Sequence, residues 1–151
     1  MRYLLWIAAT FCCFLLQGKL SVLGVAPNFT ILPVYYAGLR HGETRGLLAG
    51  ILIGFFEDSL SYSLIGPHLM SHAIIGYTSA FLVSGALFRW TALLGVIAVA
   101  TLTVADNIIV FAAKSIFDKV PALFSTVVYT SVMQALINAP AGIFLVSKNA
   151  D

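Results

Sequence analysis

Apolar runs fill most of this chain, and polar residues interrupt them in two ways. Some cluster between runs, as in "RHGETR" (Arg40–Arg45); others form thin stripes inside a run. A helix that crosses a bilayer needs about 20 apolar residues, usually about 17–25. On that ruler the pattern predicts about six spans, at about 3–23, 26–39, 46–60, 67–88, 90–111 and 123–146. The first runs from Tyr3 to Gln17 and reaches Leu23 past the isolated Lys19; the fifth can continue to Phe117. The first three are short, which leaves tilting or re-entry open. The expected fold is all-α: a polytopic membrane helix bundle, one integral-membrane domain over residues 1–151.

The stripes say how such helices meet. Lipid offers helices little hydrophobic reason to associate, so close backbone approach and interhelical hydrogen bonds must hold them. In "GLLAGILIGFFEDSLSY" the residues Gly46, Gly50 and Gly54 recur every fourth position. They cover only about 80° of the helix surface, and Glu57 falls about 20° from Gly46. Asp58 lies at the edge of that face. The fourth span has a matching line in His68, His72, Gly76, Ala80 and Ser84. The sixth carries Thr126, Thr130, Gln134 and Asn138, with Gly142 in step, and the fifth has Thr103, Asp106 and Asn107. Polar groups facing lipid are costly, so these faces are expected to point inward. Pro140 cannot donate to the carbonyl of Leu136 and predicts a bend in the last span.

Composition sharpens the class. Of 151 residues 60% are hydrophobic and 9% charged, against roughly 25% charged in soluble domains. Too few polar groups remain to cover a water-facing surface. A net charge of +2 without a basic cluster gives no sign of nucleic-acid binding. Cys12 and Cys13 are adjacent in an apolar run, without metal-type spacing, and read as small hydrophobes. A cleaved signal peptide at the N-terminus is the rival to a first span, but no small-residue cleavage site follows in "FCCFLLQGKL". With the N-terminus inside, Arg2, Arg40, Arg45, Arg89 and Lys148 fall on the cytoplasmic side and Lys19, Lys114 and Lys119 outside. That balance favours cytoplasmic N- and C-termini.

The candidate chemistry is confined to Glu57, Asp58, His68, His72 and Asp106, which this topology gathers toward the outer end of the bundle. One reading is an ion or proton pathway, or a metal held by the i, i+4 pair His68 and His72. The other is that these groups cap helix ends near water and bond between helices; that reading is adopted, with no metal or cofactor expected. "NFT" at Asn28 fits a glycosylation sequon but opens a span. His41 has no serine or cysteine near it in sequence. Ser59, Ser61 and Ser63 do not form a nucleophile elbow, and no phosphate loop exists. No enzyme is expected.

The stretch "APNFTILPVYYAGLRHGETRGLLAGILIGFFEDSLSYSLIGPHLMSHAIIGYTSAFL" resembles the core of the bacterial rod shape-determining protein MreD family. The shared features are Pro27-Asn28 opening the second span, then Gly50, Gly54 and Asp58 with Gly66 in the following turn. "VADNIIVFAAKSIF" with Asp106, and Asn138 to Pro140, are similar too. Tyr62, Pro67 and the extra carboxylate of Glu57 depart from the family's pattern. The resemblance implies a non-enzymatic inner-membrane subunit of the elongasome, the machinery of peptidoglycan synthesis along the cell's side wall. Its partners would be the bitopic MreC and, through it, the actin-like MreB, RodA and its transpeptidase. A transporter component is the alternative: small six-helix bundles resembling the substrate-binding subunit of energy-coupling-factor transporters. It would need a polar chamber lined by Glu57, Asp58, Asp106, Gln134 and Asn138.

Overall fold

The polar knot between the second and third runs is almost wholly helical. Arg40 and His41 close helix α2 (Ile31–His41), Glu43 opens α3 (Glu43–Leu60), and Gly42 alone joins them. Its φ of 88° is one that side-chain-bearing residues rarely adopt, and its N–H donates to the carbonyl of Gly38. The chain therefore reverses in one residue, and α2 and α3 pack side by side. The computed structural model describes residues 2–61, 65–84, 91–117 and 123–145, with side chains from residue 6 onward except at 83 and 84.

Before this hairpin comes α1 (Arg2–Lys19), then a reverse turn in which Val22 and Val25 exchange backbone hydrogen bonds around Leu23 and Gly24. Both turn residues have positive φ. The second helix begins only at Ile31, not near Ala26 as expected. Pro27 disfavours helix at the residue before it, and residues 26–28 lie outside any helix, with Pro27 and Asn28 buried.

After α3 come α4 (Pro67–Ser79) and the short α5 (Phe81–Ser84), which split the expected fourth span at Ala80. The hydroxyl of Ser79 donates to the carbonyl of Gly76, and that of Thr78 to the carbonyl of Ile74. Side chains thus compete for acceptors of the last turn. Helix α6 (Ala92–Phe117) is the longest at 26 residues. In α7 (Phe124–Asn138) the bend expected at Pro140 takes the form of a 3-10 helix, Ala139–Ile143. Of the residues weighed above, Tyr62, Ser63, Phe88, Arg89, Trp90, Lys119, Val146 and Lys148 lie outside the described residues, as do the side chains of Arg2, Tyr3 and Ser84.

The tightest pairing is α3 with α4. α2 lies against both, α4 packs on α6, and α6 carries α7 and the 3-10 helix, while α1 touches other helices little. A small apolar core of Tyr35, Leu39, Ala98 and Val99 joins α2 to α6. Polarity is turned inside out around it. Asn28, Thr30, Glu57, Asp58, Ser71, His72, Thr103, Asp106 and Asn138 are buried, while Phe11, Leu52, Phe56, Ile97, Ile108 and Leu136 are exposed. Apolar exposure on this scale marks a surface that meets lipid or other proteins. Among the described residues one helix, α6, is long and apolar enough to cross a membrane alone; the apolar stretch Trp6–Lys19 is shorter.

Candidate functional site

The site is built on the glycine seam. A Cβ on Gly46 would strike the carbonyl of Gly76, one on Gly50 the carbonyl of His72, and one on Gly54 the carbonyl of His68. The two helices therefore run in a strict antiparallel register, one four-residue stripe on the other. Gly38 of α2 reaches the same place: a Cβ there would meet Ser79 and the carbonyl of Gly76. Three backbones meet at Gly38, Gly46 and Gly76. Sequence spacing did not mark Gly38, because it stands alone in its span. Gly142 approaches the backbone of Gly95 in the same manner, tying the 3-10 helix to α6.

Where the seam ends, Asp58 caps α4 across the intervening turn. Its Oδ1 accepts from the N–H of His68 at 3.0 Å, and its Oδ2 from Gly66 at 2.8 Å and Leu69 at 3.0 Å. Pro67 has no N–H, and Met70 N–H already bonds the carbonyl of Gly66. Every backbone donor that α4 would leave free at its start is thus satisfied. The carboxylate also sits at the positive end of the helix dipole.

Glu57 and Asp106 anchor a second network. Glu57 Oε1 accepts from Gln17 Nε2 at 2.8 Å, and its Oε2 from the hydroxyl of Thr30 at 2.7 Å. Asp106 Oδ2 accepts from Asn28 Nδ2 at 2.7 Å and Oδ1 from Ser71 Oγ at 2.5 Å. Asn138 Nδ2 donates to the carbonyl of Asn28 at 2.7 Å, and Gln134 Nε2 to that of Ala26 at 2.7 Å. The segment between α1 and α2 is the hub: carbonyls and side chains there are held by residues of α1, α3, α6 and α7. Among the site residues Gln17, Thr30 and Ser71 were not singled out from sequence. Ser71 had a signal, lying three residues past His68 on the helix face that carries both histidines.

Between the acids stand two histidines. His72 Nε2 lies 3.7 Å from Glu57 Oε2 and 3.9 Å from Asp106 Oδ1, and His68 Nδ1 lies 3.8 Å from Glu57 Oε1. These separations are too long for hydrogen bonds. Among the described residues both ring nitrogens of His72 and Nδ1 of His68 have no hydrogen-bond partner. Among the described residues neither histidine ring is hydrogen-bonded to a hydroxyl, as a base would be to a nucleophile.

Two expectations need correction. The acids do not sit near water: Asp58 and Asp106 are fully buried and Glu57 is 7% exposed. Asp106 lies about 21 Å along α6 and about 16 Å before its end, because that helix continues to Phe117. The inward face of α7 is Ser131, Ala135 and Asn138, whereas Thr126 is exposed. One position along a helix turns a side chain by about 100°, enough to move the Thr126, Thr130 and Gln134 line aside. Gln134 still bonds Ala26 and accepts from Asn107 Nδ2 at 2.8 Å, beside the cluster instead of within it.

Glu57, Asp58, Asp106, Gln134 and Asn138, the lining that a solute carrier's chamber would need, are each hydrogen-bonded to other groups of the protein. A cleft of another kind lies between α6 and α7, lined by apolar residues such as Ile108, Phe111, Phe124 and Val128. A family model described as rod shape-determining protein MreD matches residues 2–146. No curated protein matches the chain, and no solved structure does.

Proposed function

The chain belongs to the rod shape-determining MreD family, whose members are membrane proteins, and from that premise we propose a multi-pass, non-enzymatic subunit of the cell-elongation machinery. In this reading residues 1–151 form one membrane domain with both termini cytoplasmic. It acts by holding other membrane proteins: an MreC-like bitopic partner and, through it, MreB, RodA and its transpeptidase.

The observation that carries the reading is the inverted polarity. Interior carboxylates are committed to backbone and side-chain donors of the same chain, which leaves little for a substrate. Many large apolar side chains stand on the exterior, a surface suited to lipid and to other transmembrane helices. Copurification from native membranes tests it. Capture of a single-span protein with a periplasmic domain is the expected result. Unchanged rod growth on depletion in a rod-shaped host would count against it.

A further inference from the structure

We propose that Glu57, His68 and His72 form a binding site for one divalent transition-metal ion of the zinc class, which clamps α3 to α4 where their seam ends. The ligand atoms, one from each residue, lie within 4.8 Å of one another. Two ligands on a tetrahedral zinc ion, each about 2.0–2.1 Å from the metal, stand about 3.3–3.4 Å apart. His72 stands 3.7 Å from Glu57 Oε2 and His68 3.8 Å from Glu57 Oε1, each close to that spacing, so the two carboxylate oxygens face one histidine apiece. Among the described residues His68 Nδ1 and both nitrogens of His72 have no hydrogen-bond partner.

Three further observations point to a cation. His72 is fully buried and, among the described residues, neither ring nitrogen is hydrogen-bonded, a costly arrangement unless something else binds there. Glu57 and Asp106 are buried acids, and among the described residues their ion-pair partners are histidines alone. A dication balances those two carboxylates, whereas Asp58 already has the start of α4. Finally, the supports of a metal site are in place. Gln17 and Thr30 orient the Glu57 carboxylate, and Asp58 fixes the backbone of His68. The side chain of His68 is 17% exposed and gives the ion a way in.

The experiment uses the full chain, purified without a polyhistidine tag, stripped with chelator and titrated with Zn²⁺ and with Co²⁺. One ion per chain is expected, with the intense visible bands of low-symmetry, four-coordinate Co²⁺. Glu57→Gln and His72→Gln should each weaken Zn²⁺ binding at least about 100-fold. Gln17→Ala should weaken it about 10-fold, in the range of an orienting residue. His41→Ala, outside the cluster, should leave it unchanged. No stoichiometric binding, or binding untouched by the Glu57 and His72 changes, would overturn the site. If those variants fail to fold, the cobalt spectrum of the unmodified chain decides: octahedral bands or none would overturn it. A protonated His72 alone between the carboxylates would show as no metal uptake, and that too would overturn it.

Discussion

The seam between α3 and α4 and the outer flank formed by α1 and the outward faces of α6 and α7 obey opposite rules. Along the seam, glycines bring backbones together until no Cβ fits, and the carboxylates beyond it accept hydrogen bonds from the same chain. On the flank, Ile7, Phe11, Ile97, Ile108 and Val132 stand more than half exposed. In water the second region would be the costly one. In hydrocarbon the costs reverse: exposed methyl groups lose nothing, and the difficult task is holding helices together. Specific structure is therefore written in the small and polar residues, and the greasy ones leave a surface open to partners.

Substitutions can break or sharpen this contrast. Gly50→Leu should have the largest effect, since the clash is with the His72 backbone, which cannot rotate away. A loss above the about 1–3 kcal/mol of ordinary overpacking is expected, seen as loss of a monodisperse detergent-solubilised species. Leu52→Ala, two residues away on the exposed side, should stay within about 0.5 kcal/mol. Equal effects in the two would erase the distinction between seam and flank.

Asp58→Leu comes next. It strands the N–H groups of Gly66, His68 and Leu69, at about 1–3 kcal/mol for each donor left buried and unpaired. Asp58→Asn should cost far less, because asparagine caps helices about as well as aspartate. Thermal unfolding in detergent would separate them, and equal loss in both would mean that the charge itself matters. Thr30→Val removes one hydrogen bond to the Glu57 carboxylate, worth about 1.5–3 kcal/mol. The smallest effect belongs to Tyr129→Phe: its hydroxyl donates to the carbonyl of Leu23 at 3.2 Å from an exposed position, so under about 1 kcal/mol is expected from the same unfolding measurement.

How far the sequence could be read follows from the range of each interaction. Four-residue spacing is local, so the Gly46, Gly50 and Gly54 stripe and its His68, His72 and Gly76 counterpart stand out along the chain before any coordinates. Helix ends were harder. The break at Ala80 falls beside Thr78 and Ser79, whose hydroxyls bond carbonyls of the last turn, and the late start of α2 follows the buried Pro27. That Asp106 faces inward follows from the cost of a polar group in lipid, but what it meets there was not legible. Its partners Asn28 and Ser71 lie 78 and 35 residues away, and no periodicity encodes such a meeting. The orientation of α7 failed for a simpler reason: Gln134 and Asn138 share a stripe, but only one of them faces the cluster.

The segment after α1 has a consequence for biogenesis. Leu23, Ala26 and Asn28 present carbonyls to Tyr129, Gln134 and Asn138, more than a hundred residues downstream. Those acceptors leave the ribosome early, yet the side chains that satisfy them emerge with the last helix. The turn after α1 is thus synthesised early and among the last parts completed, and a chain halted before Phe124 would keep it provisional, open to any donor that passes.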